Sequence, residues 1–137
     1  MHYWLIKSEP YKWSWDDQFE KGVEHWDGIR NYQASNNMKT MKIGDQAFFY
    51  HSNEGKEIVG ICEVVKEYYP DHTDETDRFG MVDFKAVKPV KTPVTLGQIK
   101  SDPVLQSMAL VRQPRLSVSP VTKSEWDHIL KLSKTSV

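Results

Sequence analysis

Two runs rich in aromatic and β-branched residues, "DQAFFYHS" (45–52) and "EIVGICEVVKEYY" (57–69), are separated only by "NEGK", whose Gly55 supplies a turn. This is a β-hairpin signature, and it commits the middle of the chain to antiparallel pairing. Around it, "HYWLIK" (2–7) reads as a first strand, buried on both faces and stopped by Pro10. "MVDFKAVKPV" (81–90) reads as a strand ending before Pro89 and Pro93, and "RLSVSPV" (115–121) as a final one.

The helical signals are short. Ser14 as N-cap, Asp16 and Asp17 in the first turn and a stop at Gly22 predict one helix, with Trp15 and Phe19 sharing its inner face. "YQASNNMKTMKIG" (32–44) predicts a second, closed by Gly44. "TLGQIKSD" (95–102) and "PVLQSMAL" (103–110) are two further short helical candidates. "TKSEWDHILKL" (122–132) carries a capping box, Thr122 with Glu125. The acidic, turn-rich stretch 70–80 predicts a mobile loop. Strands joined by short helices give an α+β class: a strongly curved, mostly antiparallel, barrel-like sheet with peripheral helices.

With 137 residues, 39% hydrophobic and 27% charged, one domain spanning 1–137 is expected. The net charge of −1 excludes a strong general field for polyanions, so non-specific nucleic-acid binding should be weak. A single cysteine, Cys62, in an apolar run forbids an internal disulfide and fits a reducing compartment. The N-terminus lacks a signal-peptide pattern and no window approaches the roughly 20 apolar residues of a membrane span, so no membrane partner and a cytoplasmic location are expected.

No metal site is expected, because His2, His25, His51, His72 and His128 show no HxxxH or HxH spacing. No glycine-rich phosphate loop exists. A GxSxG elbow is also missing, and His51 and Ser52 point to opposite faces of a strand, so that adjacent pair is not a dyad.

"HWDGIRNYQ" (25–33) is the segment with chemistry to explain. Residue by residue it fits a structural reading: Trp26 in the core, Arg30 and Asn31 holding backbone, and "NYQ" capping a helix. Taken together, an indole offers a stacking face, Asn and Gln match a base edge, and Arg reaches base or phosphate. Strand ends with Lys7 and Ser8, with Tyr50, His51 and Ser52, and with Arg112 and Ser117 would form one polar rim if they converge. A base or nucleoside is the ligand that suits such a pocket.

In order along nearly the whole chain, "YWLIKSEP", "WSWDD", "WDGIRNYQA", "MKIGDQAFFYHS", "IVGICEVV", "YYPD", "PVTLGQIK" and "LVRQPRLSVSPV" resemble the EVE domain family. The resemblance implies a PUA-like fold related to the YTH readers of methylated adenine in RNA. It implies a reader of modified bases, with cytosine modified at C5 in DNA the ligand of some members and modified RNA proposed for others. The pocket positions it implies here are Lys7 and Ser8, Trp26, Arg30 and Asn31, Tyr50, His51 and Ser52, and Arg112 and Ser117, with Trp13 and Trp15 as further candidates. Ser35 stands where many relatives carry Arg, so one basic phosphate contact is absent.

The expectation is a non-catalytic, cofactor-free, monomeric reader that takes an unpaired or flipped base from modified DNA or RNA. Its output would need a partner such as a nuclease or other modification-dependent effector. The rival readings are an enzyme acting on a modified nucleoside, with His51 as acid or base, and a small-molecule binder whose aromatic rings are core.

Overall fold

In the computed structural model, which describes residues 1–136, the chain runs β1 (Tyr3–Ser8), α1 (Trp15–Lys21), β2 (Val23–His25), α2 (Tyr32–Lys39), β3 (Gln46–His51) and β4 (Glu57–Pro70). It continues through β5 (Gly80–Thr95), α3 (Leu96–Ser101), a 3-10 turn (Pro103–Leu105), α4 (Ala109–Arg112), β6 (Val118–Val121) and α5 (Lys123–Leu132). The strands form one sheet in the order β2-β5-β4-β3-β1-β6. Only β1 and β3 run parallel; the other neighbours are antiparallel. The fold class is the expected α+β, with a curved, mostly antiparallel sheet and short helices.

The alternation of β1 and β3 divides the core in two. Trp4, Ile6, Ala47 and Phe49 face a cluster with Trp15, Trp26, Met38 and Phe84, whereas Leu5, Phe48 and Tyr50 face one with Ile58, Leu105, Trp126 and Ile129. Strands buried on both faces read as near-continuous apolar runs, as "WLI" and "AFFY" do.

Several local expectations are corrected by tertiary contacts. α2 stops at Lys39 with Thr40 as its cap, and Gly44 instead takes φ +96° in the turn that leads into β3. β5 continues through Pro89 and Pro93 to Thr95, because its register with β4 is broken there and nearby donors bond elsewhere: Thr92 N–H to the Ser133 carbonyl and Lys91 N–H to Thr135 Oγ1. Within α1 the inward residues are Trp15 and Gln18; Phe19 is exposed, its ring tilted against that of Trp15 with centroids 5.8 Å apart. The second candidate helix, 103–110, resolves into the 3-10 turn and the start of α4. The short strand β2 lacks a signal of its own: three residues gain their conformation by pairing with Lys85, Phe84 and Asp83.

Curvature places the site. β2 is first and β1 fifth in the sheet order. In a flat sheet they would be roughly 19 Å apart at the usual strand spacing. Register shifts along β4–β5 and one between Phe49 and Tyr50 of β3 mark irregularities of the kind that bend and twist a sheet. Residues from the end of β1 and from β2 consequently meet across one cleft.

Candidate functional site

That cleft, about 360 Å³, is lined by Lys7, Ser8 and Glu9 at the end of β1, by Lys12 and Trp13 in the following turn, and by residues 24–29, Gly28 excepted. The turn has its own logic. Ser8 Oγ donates to the Trp13 carbonyl, and Ser14 with Asp17 closes a reciprocal capping box that starts α1. The Trp13 indole N–H donates to Gln18 Oε1 at 2.8 Å, and Gln18, fully buried, donates in turn to the Phe84 carbonyl at 3.1 Å. The ring is therefore oriented by a buried amide while keeping a partly open surface.

Trp26 reaches the same cleft from the other side. It is 8% exposed, with its ring edge-on to both Phe49 and Phe84 at 5.7 Å, so it is a wall of the cleft and a core residue at once. Lys7 marks the boundary with a second hollow: its Nζ donates to the Pro114 carbonyl at 2.7 Å, and burial lowers its pKa. That second cleft, about 350 Å³, is lined by Asn31, Gln33, Gln113, Pro114, Arg115 and Leu116. A third, about 540 Å³, lies among Lys39, Tyr68, Tyr69, Pro70, Asp77, Arg78 and Phe79 and holds none of the residues selected from sequence.

The residues picked out in the sequence are thus separated into groups. Lys7, Ser8, Trp13 and Trp26 share the first cleft, and Asn31 lines the second while its Oδ1 caps α2 through the Ala34 N–H at 2.9 Å. Arg30 is turned away, donating to Asp71 Oδ2 and Thr73 Oγ1, each at 3.0 Å. Tyr50 is buried in the opposite core cluster, 3% exposed. His51 Nε2 accepts the Trp15 backbone N–H at 3.0 Å, fixing the start of α1, and burial lowers its pKa against the opposing pull of Glu57 and Asp16. Ser52 donates its backbone N–H to Ser8, and the Ser117 carbonyl accepts from Lys7 N–H, so both act in the chain pairing beside β1. Arg112 is exposed at the end of α4, and Arg115 is the arginine that lines the second cleft. Trp15 is core, packed on Phe49. Ser35 is buried and its hydroxyl hydrogen-bonds with that of Tyr68 at 2.9 Å, so position 35 faces inward in this chain.

Glu9, Lys12 and Glu24 complete the first cleft from outside the segment singled out in the sequence, and His25, Asp27 and Ile29 come from within it without being among its candidate contacts. Charged residues on short connecting segments look like ordinary surface until the fold turns them together. Composition predicts a mobile loop over 70–80, but the stretch carries internal anchors. Asp71 and Asp74 are buried and organise it: Asp71 accepts from Thr73, Gly28 and Arg30, and Asp74 from Thr76, Arg78 and Phe79.

Residues 2–132 match the family model described as the EVE domain. Mouse thymocyte nuclear protein 1 is 36% identical in an alignment covering 98% of this chain and 74% of that protein. Among solved structures, a protein of Agrobacterium tumefaciens is 50% identical with a TM-score of 0.97, covering 98% of this chain and 94% of that one. The human THYN1 protein, solved in complex with DNA containing 5-methylcytosine, is 34% identical with a TM-score of 0.92 and full coverage of both chains.

Proposed function

The chain belongs to the EVE domain family, and from that premise we propose that it is a non-catalytic reader of a modified base in DNA, with C5-modified cytosine as its ligand. The observation that carries this reading is the meeting of Trp13 and Trp26 with Ser8 and Lys7 in one cleft. Two indoles give an extracted base a stacking wall, and a hydroxyl and an ammonium beside them suit its polar edge. The cleft volume of about 360 Å³ lies within the range of small-ligand pockets. The likeness to human THYN1 supports DNA and the methylated cytosine over other ligands.

Stacking one base on an aromatic contributes about 1–3 kcal/mol, and extracting it from a duplex costs a few. With a net charge of −1 there is little general attraction to offset that cost, so unpaired or mismatched bases compete best. A buried methyl contributes about 0.8 kcal/mol, roughly four-fold in affinity, and stronger selectivity requires a polar group left unpaired by the wrong base. The second cleft, with Asn31, Gln33 and Arg115, suits the flanking backbone.

A non-catalytic role is favoured by His51, whose Nε2 lone pair is taken by Trp15 N–H and which stands outside the cleft lining. The reader acts in the cytoplasm as a monomer, and its output comes from a separate effector such as a nuclease.

The test is a tryptophan-fluorescence titration with short single-stranded DNA carrying plain, methylated or hydroxymethylated cytosine or methylated adenine, and with matched RNA. Saturable quenching by C5-modified cytosine in DNA, lost in Trp13→Ala, is the expected result. Equal responses to plain and modified cytosine would overturn the reading, and preference for RNA or for methylated adenine would replace its ligand.

A further inference from the structure

His25, Asp27 and His72, from two distant stretches of chain, bring one ligand atom each to within 4.8 Å of one another. We propose that these three side chains bind a divalent transition-metal ion at the mouth of the first cleft, whose lining includes His25 and Asp27.

The arrangement is more than a chance cluster of surface polar groups. His25 Nε2 lies 3.7 Å from Asp27 Oδ2, and Glu24 Oε1 lies 3.2 Å from His25 Nδ1. A carboxylate at Nδ1 favours the proton there and leaves the Nε2 lone pair directed at the cluster, as in carboxylate–histidine–metal sites. Glu24 is itself held by Lys21 at 3.0 Å and by the His25 backbone N–H at 3.0 Å. The rings of His25 and His72 stand edge to face with centroids 5.0 Å apart.

Both ligand-bearing segments are fixed. His25 ends β2 and pairs with Asp83 of β5. His72 follows Asp71, whose carboxylate is bonded to Gly28 and Arg30 immediately beyond Asp27. Ligand atoms in a four-coordinate site with bonds of about 2.0–2.1 Å are roughly 3.3 Å apart, so small side-chain rotations close the set around an ion.

Two imidazoles and one carboxylate select zinc, cobalt, nickel or copper over calcium or magnesium, which prefer all-oxygen shells. Three protein ligands leave at least one position open to water or an outside group. The ion would also reverse the local charge, since Glu9, Glu24 and Asp27 outnumber Lys7 and Lys12 in the cleft wall.

Local His spacing does not reveal the set, because its two histidines belong to different segments brought together by the fold. The proposal is independent of what the cleft holds, since its assay contains only protein and metal. Untagged, chelator-treated chain is titrated with Zn²⁺ by calorimetry and with Co²⁺ by visible absorption. One ion per chain is expected, with affinity at least ten-fold lower in His72→Ala and in Asp27→Asn. Melting temperatures of the metal-free variants report whether the fold is kept, and His72, exposed in a loop, is expected to tolerate the change. Broadening of the His25 and His72 ring signals by Co²⁺ in the unaltered chain gives a second reading that needs no variant. Absence of saturable binding, or the same affinity in His72→Ala as in the parent, would overturn the proposal; the latter would place the ion elsewhere, such as the His128–Asp102 pair.

Discussion

Arg30 donates to Asp71 at 3.0 Å, and the same carboxylate oxygen accepts the Gly28 backbone N–H at 2.8 Å. One buried side chain thereby ties the loop 71–79 to the segment that walls the cleft. Gly28 has φ +77°, a left-handed conformation that presents its N–H to the carboxylate and that other residues adopt at a cost. Burial would raise the pKa of Asp71, but hydrogen bonds from Thr73, Gly28 and Arg30 outweigh it and hold the group at about 2.

Asp71→Ala is therefore expected to lower stability by about 1–3 kcal/mol, since it removes the hydrogen bonds that Thr73, Gly28 and Arg30 donate to this buried carboxylate. The sign with pH follows from the depressed value. The contribution of Asp71 is complete above the ordinary 3.8 and is lost as pH falls through about 2. Thermal melts between about pH 5 and pH 2 should show a steeper acid decline in the parent than in the variant. Parallel curves would remove the anchoring role.

His51 gives a second, separate acid effect. Its Nε2 accepts from Trp15 N–H only while the ring is neutral, and burial sets its pKa below the ordinary 6.5. The stabilisation is complete above 6.5 and is lost as pH falls through the lowered value. His51→Ala should cost about 1–2 kcal/mol near pH 7 and flatten the decline that begins below 6.5. A ring titrating above 6.5 by proton NMR would contradict the assignment.

The contrast between Arg30 and Trp13 explains how far the sequence carries. Strands, caps and the order of elements rest on neighbours within a few residues, and those were readable: the hairpin, the first strand, the Ser14 cap and the Thr122–Glu125 box all stand where local pattern places them. A side chain's target is set by whichever segment the sheet brings opposite. Arg30 reads as a base or phosphate contact because its partner, Asp71, lies in a stretch whose composition predicts a mobile loop. Tyr50 and His51 followed Phe49 in a promising polar run, yet strand alternation and one register shift sent Tyr50 to the far core and His51 to the foot of α1. Ser8 and Trp13 were found because the turn joining them is local. The facing wall, residues 24–29, depends on β2, a strand that exists only through its partner β5.

Gly60 tests the packing behind the cleft. A Cβ there would lie 2.5 Å from three carbons of the Trp15 ring, which is itself wedged against Phe49. Neither ring is a flexible end that yields cheaply, so Gly60→Ala should destabilise by about 1–3 kcal/mol in urea unfolding. A change below about 0.5 kcal/mol would mean that α1 moves freely relative to the sheet.

The two cleft tryptophans should behave differently on truncation. Trp26→Ala removes a ring that packs on Phe49 and Phe84 and is expected to cost about 3–5 kcal/mol, so lost binding in that variant reports unfolding as much as lost contact. Trp13, half-buried and tied to Gln18, should lose ligand affinity with a smaller loss of melting temperature. A Trp13→Ala variant that binds as the parent does would leave the cleft without its stacking role.

Charge at the second cleft supplies the last discrimination. Lys7 stands between the two hollows with one of its three protons donated to the Pro114 carbonyl, and Arg115 lines the second. If a strand lies along this path, each removed cation should weaken oligonucleotide binding, reduce the salt dependence by about one unit of slope, and leave free-nucleoside binding less affected. Arg115→Ala is expected to show this pattern. Arg112→Ala, altering an exposed side chain outside both clefts, is expected to remain near the parent. Affinities measured across a series of salt concentrations, for oligonucleotide and nucleoside alike, decide between the two arginines: a slope change in Arg112→Ala alone would move the backbone path to the end of α4.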